Sequence, residues 1–252
     1  DTLIHEIGAG QMGIDFLHGD PLGMADNVFY FKRTLREAAL KHAMYATFMA
    51  KPMANEPGSA MHVHQSVQDA ATGQNLFSNP DGSPSKAFYH YVGGLQRYMP
   101  AAMALAAPYV NSYRRIVRHT YAPVNVQWGI DNRTVGFRVP ASRPADRRIE
   151  NRVIGADANP YLAFAVTLAC GYLGMIEHLE PTDATGGSAQ HLDFELPQGL
   201  PEALKMLRAE DKLAAVLGQR FIDVYAAIKE QEHLEFMTVI SPWEREHLLL
   251  HV

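Results

Sequence analysis

The segment Met61-His62-Val63-His64-Gln65-Ser66 sets two imidazoles and a hydroxyl at alternate positions. In a strand, residues two apart share a face. His62, His64 and Ser66 therefore line one side, while Met61, Val63 and Val67 point to the other. Such a face binds a metal, a phosphate or both; a pair of hydrogen-bonded surface histidines is the plain alternative. Arg147-Arg148-Ile149-Glu150-Asn151-Arg152 alternates in the same way. Arg148, Glu150 and Arg152 fall on one face, and Ile149 points into a core. Two guanidiniums around a carboxylate make either a structural ion-pair ladder or a metal–nucleotide site, where Glu holds a divalent cation and Arg holds phosphates. Arg133 and Arg138 stand at the two ends of another β-like stretch. If that strand is regular they face opposite ways, so a bulge is needed to bring both to one site. Glu6 follows His5, but no second His stands at the H-E-x-x-H spacing.

Charge points to the same region. Nine of the 15 arginines lie between Asn111 and Arg152, with no Lys and only Asp131, Asp146 and Glu150 as acids, a net of +6 inside a chain of net charge -5. Solvated faces usually mix Lys with Glu. An all-Arg window suits bidentate grip on phosphate or carboxylate, so a focused anionic-ligand site is expected here. The acidic total argues against general nucleic-acid binding. There is no G-x-x-x-x-G-K-[ST] and no G-x-G-x-x-G between a strand and a helix, so a bound nucleotide must be held by metal and Arg.

These groups need a scaffold, and 252 residues with 47% hydrophobic content suffice to bury a core. A single cysteine, Cys170, excludes an internal disulfide. No signal-peptide pattern and no uncharged apolar run of membrane-spanning length are read, so a cytoplasmic location without membrane contact is expected. The first residue is Asp1 and not Met, which suggests processing or a piece of a longer chain.

The expected elements are extended segments at Leu3–Glu6 and Met12–Phe16, a helix capped by Asp26 running from about Asn27 to Ala43, and strands at Tyr45–Ala50 and Ser59–Val67. A helix capped by Ser85 should end at Pro100. Val124–Ile130 and Arg133–Val139, joined by Asp131-Asn132, predict an antiparallel hairpin. Arg147–Arg152 reads as a strand. Asn159-Pro160 opens an apolar helix to about Leu179. Helices follow near Pro201–Leu217 and Gln219–Met237, with a last one at the capping box Ser241-Pro242-Trp243-Glu244. The pattern is α+β.

Lys51-Pro52-Met53 followed by Gly58-Ser59-Ala60-Met61-His62-Val63-His64-Gln65-Ser66 resembles the ATP-binding signature of the glutamine synthetases. Asn111-Ser112-Tyr113-Arg114-Arg115, Ala122-Pro123-Val124, Asn132-Arg133, Arg138-Val139-Pro140, the 147–152 run and Asp157-Ala158-Asn159-Pro160-Tyr161-Leu162 continue the match in order. Glu6 with Gly10-Gln11 resembles the family's second glutamate motif. The resemblance reaches about Gly174; the helical tail, 200–252, carries little of it. It implies an α+β catalytic domain over 1–252, with a curved antiparallel sheet flanked by helices and truncated at its N-terminus. It also implies an ATP-dependent ligase that phosphorylates the γ-carboxylate of glutamate and passes the acyl group to an amine or ammonia, with ATP and Mg²⁺ or Mn²⁺. By resemblance, Glu6 ligates one metal, and His62 and Glu150 the other. His64, Ser66, Arg133, Arg138 and Arg148 attend the nucleotide, with Arg133 and Arg138 acting on the transferring phosphate. Gly58, Arg115 and Arg152 hold glutamate. The partners implied are small molecules, in a ring-shaped homo-oligomer.

Three departures bear on function. The family has a further metal-binding Glu two residues after the Gln, where this chain has Gly13; Asp15, on the same strand face, is a candidate replacement. The family's ammonium-binding Glu before Ala-Pro-Val is Tyr121 here. The branch that joins glutamate to polyamines such as putrescine also lacks that Glu, and the stretches Asp1–Ala9 and Met44–Gln65 look closest to it, so an organic amine is the favoured nucleophile. The first E-x-E motif and the small N-terminal domain are expected upstream of Asp1. A glutamine synthetase using ammonia, and a non-catalytic member that binds nucleotide or glutamate, are the alternatives; a fragment lacking those ligands is expected to be inactive alone.

Overall fold

The computed structural model describes residues 2–118 and 120–251; Asp1, His119 and Val252 lie outside them. The chain opens with an antiparallel hairpin, β1 (Thr2–His5) and β2 (Met12–Asp15). Helix α1 follows at Pro21–Lys41. It starts earlier than expected. Asp20, not Asp26, caps it by accepting from Gly23 N at 2.9 Å, and Pro21 provides the preset first turn. Asp26 instead accepts from Tyr161 Oη at 2.5 Å. The expected strand at 45–50 is irregular, and the second one is short, β3 at Val63–Gln65.

The core is built on two long helices, α2 (Lys86–Ala106) and α4 (Pro160–Glu177), which pack along each other. Ser85 caps α2 as expected, accepting from Phe88 N at 3.2 Å. Pro100 lies inside α2 and does not end it, because every residue from Ala101 to Ala106 is buried and holds the following turns in place. Gly94 and Gly174 mark the crossing. A Cβ on Gly94 would stand 2.6 Å from Gly174 Cα, so the two backbones touch directly. Helix α4 begins where Asn159 Oδ1 accepts from Tyr161 N at 3.0 Å. It corrects one expectation: by length and composition it is apolar enough to cross a membrane. Half of it is buried against α2 and its neighbours, which accounts for that composition.

A short helix α3 (Val110–Tyr113) leads into the sheet strands β4 (Trp128–Ile130), β5 (Phe137–Val139) and β6 (Ile149–Asn151). The order is β3-β6-β5-β4. β3 and β5 flank β6 antiparallel, but β4 pairs with β5 in parallel. The sheet is therefore mixed, and the predicted hairpin at Asp131-Asn132 does not form. Three-residue strands are only about 10 Å long, so the residues between them can carry the chain back to its start. Asp131, at φ 50°, begins that return. The expected helix at Pro201–Leu217 splits into α5 (Leu200–Arg208) and α6 (Asp211–Leu217), each with its own buried face. α7 (Gln219–Met237) and α8 (Pro242–Leu248) lie where expected, and Ser241 and Glu244 form the capping box.

Candidate active site

The sheet register brings the chemistry together. Glu150, in the middle of β6, stands opposite His64 on β3 and Arg138 on β5. Cross-strand partners share a face, and His62, Arg148 and Arg152 join it by the two-residue alternation. On the other face Gln65, Asn151 and Ile149 point inward and are buried. Gln65 Nε2 and Asn151 Nδ2 both donate to the hydroxyl of Thr167 on α4, at 3.0 and 2.9 Å, and Tyr91 Oη donates to Gln65 Oε1 at 2.7 Å. This buried network pins β3 against β6.

Glu150 is the hub. Its Oε1 lies 2.5 Å from Arg152 Nη1 and 3.2 Å from His62 Nδ1, and its Oε2 lies 2.7 Å from Arg138 Nη1. It is 2% exposed. Burial opposes its charge, but the hydrogen bond from His62 and the guanidiniums of Arg152 and Arg138 outweigh that and hold the carboxyl far below its usual range. Burial within the site pushes His62 below its ordinary value; its hydrogen bond to Glu150 pulls the other way, and Arg152 adds to the lowering. The face thus presents a neutral imidazole beside an ionised carboxylate. His64 is lowered too, chiefly by burial, with Arg148 and Arg138 adding and Glu150 and Asp15 opposing. Arg148 Nε donates to His64 Nδ1 at 3.2 Å, which places the imidazole proton on Nε2. Arg138 Nη2 reaches Asp131 at 2.7 Å, while the Nε atoms of Arg138 and Arg152 are buried without a partner among the described residues.

The other expected residues are placed less centrally. Ser66 is exposed just beyond β3. Arg133 is exposed in the return link and makes no hydrogen bond among the described residues; no regular strand carries it, so the question of strand faces does not arise. Arg115 is buried, and it donates from Nη1 to Val153 O at 2.9 Å and from Nη2 to Arg152 O at 2.8 Å. Burial brings it down to about 10, so it is charged at neutral pH. Gly58 lies on its stem: a Cβ there would stand 2.8 Å from Arg115 Cγ and 2.6 Å from Ala50 O. Glu6 is on the β1–β2 hairpin, its carboxylate folded across Gly13 into the space a side chain there would need.

The spacing of the donors bears on whether a divalent cation could sit here. Two ligands in adjacent positions of an octahedron at about 2.1 Å stand about 3.0 Å apart, close to the 3.2 Å between His62 Nδ1 and Glu150 Oε1. Nδ1 donates its proton to Glu150 here, so the pair would fit as two donors only once that proton sits on Nε2. Among the described residues no third His, Cys, Asp or Glu completes a cluster.

Sequence reading quoted Lys51, Asn111, Ser112 and Asp157 within motifs but gave them no individual role, and it did not name Lys32. Asn111 accepts from Lys51 N and donates to Lys51 O, both at 2.9 Å. Lys32 of α1 donates to Ala156 O and Ala158 O, at 2.6 and 2.9 Å, and Asp157 between them accepts from Ser112 Oγ at 2.6 Å. Thr167, a lone hydroxyl near the middle of an otherwise apolar helix, was the signal for the Gln65–Asn151 network.

Residues 1–248 match a family model described as glutamine synthetase, catalytic domain. Gamma-glutamylputrescine synthetase PuuA of Escherichia coli (strain K12) is 39% identical over 253 residues, covering 99% of this chain and 53% of that protein. Glutamate–isopropylamine ligase of a Pseudomonas species is 36% identical over 245 residues, 95% of this chain and 53% of that protein. A glutamine synthetase of Methanosarcina mazei is 36% identical over 258 residues. The solved structure titled GmaS/ADP complex superposes with a TM-score of 0.88 at 31% identity, over 97% of this chain and 58% of that one. The chain spans about half the length of the curated relatives it matches.

Proposed function

This chain belongs to the glutamine synthetase family by its catalytic domain, and from that premise we propose that it forms part of an ATP-dependent ligase joining the γ-carboxylate of glutamate to an organic amine. The observation that carries this reading is the Glu150 hub, a buried carboxylate shared by Arg138, Arg152 and the neutral imidazole of His62.

The reaction has two displacements. A γ-carboxylate oxygen of glutamate attacks the terminal phosphorus of ATP, forming γ-glutamyl phosphate and releasing ADP. The amine nitrogen then attacks the acyl carbon, loses a proton, and phosphate leaves. Negative charge gathers at the transferring phosphoryl group, and Arg138 and Arg148, fixed by Glu150, Asp131 and His64, are aimed donors for it. Arg133, carried by the return link, can add a further charge from the edge. Arg152 and the backbone held by Arg115 shape the wall beside Gly58, where glutamate is assigned. His62 and Glu150 would hold a Mg²⁺ or Mn²⁺ ion, and by the family resemblance Glu6 a second one; such ions would supply charge screening and carboxylate polarisation.

Tyr121, 65% exposed where the family has an ammonium-binding Glu, favours an organic amine, since an aromatic face attracts an alkylammonium and its apolar stem. Ammonia is the second reading, supported by the nearly equal likeness to glutamine synthetases. The test is phosphate release from ATP by the full gene product with glutamate plus putrescine, isopropylamine, ammonia or no amine. Amine-dependent release is expected. Equal efficiency with ammonia would favour the second reading, and ATP binding without turnover on any nucleophile would favour a non-catalytic role.

A further inference from the structure

Glu6 sits at the end of a hairpin whose first strand is exposed along its whole length. Something must set that carboxylate relative to the rest of the site, and the polar ties converge on Gln11. Both ends of its amide are used. Oε1 accepts from Gly8 N at 3.1 Å, and Nε2 donates to Gly58 O at 3.1 Å and to Ser59 Oγ at 3.0 Å, across 47 and 48 residues of chain. The Gln11 backbone closes the same turn, with Glu6 N donating to Gln11 O and Gln11 N donating to Gly8 O, both at 3.0 Å. Ala9 N adds a bond to Glu56 Oε2 at 3.0 Å. Gly8 permits this docking, since a Cβ there would stand 2.8 Å from Gln11 Oε1.

The loop that receives these bonds is held separately at its base. Asn111 grips both backbone groups of Lys51, and Ser59 N donates to Ala50 O at 2.8 Å. One leg of the loop, at Lys51, is thus fixed from α3, and Gln11 fixes the other, at Gly58 and Ser59. Removing the Gln11 amide would leave the Lys51 leg intact and uncouple the hairpin from Gly58.

We propose that Gln11 is a positioning residue that holds the Glu6 carboxylate in register with the Gly58 loop, so that cation binding and glutamate binding both depend on one amide. This rests on the ligase reading. Gln11 acts through Glu6 and Gly58 and needs no contact with substrate.

The experiment uses the full gene product and its Gln11→Leu variant, which keeps bulk and removes both hydrogen-bonding groups. Mn²⁺ affinity is read by electron paramagnetic resonance without turnover, alongside KM for glutamate, kcat, and backbone amide exchange. The expected result is Mn²⁺ binding weaker by about 10–100-fold, the range for groups that orient metal ligands. KM for glutamate should rise roughly fivefold, the factor one lost hydrogen bond is worth, with a smaller fall in kcat. Amide exchange at residues 2–15 and 51–59 should quicken together. Ser59→Ala should give a milder form of the same effect and add nothing in the Gln11→Leu background. If Gln11→Leu does not fold, Gln11→Asn, one methylene shorter, reads the same quantities. Loss of thermal stability with Mn²⁺ affinity and KM intact, or a fall in kcat alone, overturns the proposal. A wild-type protein without Mn²⁺ binding or turnover overturns the ligase reading instead; the exchange measurement then still decides Gln11, because unchanged exchange at 51–59 rules out its docking role.

Discussion

Glu150 stands directly opposite Arg138 on the neighbouring strand, with Oε2 2.7 Å from Arg138 Nη1. Its other oxygen belongs to Arg152 and His62. Glu150→Gln keeps the volume and removes the charge that offsets two guanidiniums. Breaking a buried ion pair by removing one partner costs about 3–5 kcal/mol. A fall of that size in unfolding free energy, read from urea melts, is expected together with loss of nucleotide-dependent turnover. Unchanged stability would mean that the cluster is solvated and not a true hub.

Thr167→Val is nearly isosteric and leaves Gln65 Nε2 and Asn151 Nδ2 without their shared acceptor inside the core. The orphaned Gln65 amide costs about 1–3 kcal/mol, and Asn151 Nδ2 keeps only the weak acceptor Met99 Sδ at 3.5 Å. Thermal unfolding should drop accordingly, and Thr167→Ser, which restores the hydroxyl, should recover most of it.

Lys32 gives a pH signature. Its ammonium is lowered from 10.5 to about 8, chiefly by burial and further by Arg36, with Asp157 opposing. Below about pH 8 the group is charged in both folded and unfolded chains, and the fold bears the cost of burying it. Between about 8 and 10.5 the folded chain has released the proton and the unfolded chain has not, so this residue makes stability rise with pH across that window. Paired melts of wild type and Lys32→Met should show the wild type gaining on the variant over this range. A constant difference would show that Lys32 titrates normally.

Gly94→Ala tests the helix crossing. The added methyl would meet Cys170 O and the Gly174 backbone, neither of which can move without displacing α4. Overpacking costs about 1–3 kcal/mol where side chains can adjust; here backbone must move, so the loss should sit at or above the top of that range. A mild effect in chemical denaturation would argue that the two helices are more loosely packed.

Tyr121→Glu restores a carboxylate where the family binds ammonium. It should shift relative kcat/KM toward ammonia and away from alkylamines. No change in the ratio would remove Tyr121 from the account of nucleophile choice.

Much of the site was legible because alternation is a local property. His62 and His64 share a face, as do Glu150 and Arg152, whatever the sheet looks like. Two expectations failed, and one role went unseen, for nonlocal reasons. Asp131-Asn132 looks like a two-residue hairpin turn, yet the direction of β5 is set by its antiparallel pairing with β6. Pro100 is a helix breaker by itself, yet burial of the residues after it prevails. The bridging role of Gln11 depends on a partner almost fifty residues away, and no spacing announces it. The family resemblance supplied names for roles, while the hydrogen bonds that fix Arg115 and Arg138 became visible only in three dimensions.

The parallel pairing of β4 with β5 separates two kinds of change. In an antiparallel hairpin, one inserted residue shifts the register and turns every following side chain to the opposite face. Here β5 takes its register from β6, and the link from Asp131 onward only has to return the chain. Insertions or deletions within that link would alter where Arg133 reaches and leave Arg138 facing Glu150. Two arginines five positions apart are thus free to evolve separately, one as an adjustable fitting and the other as part of the frame.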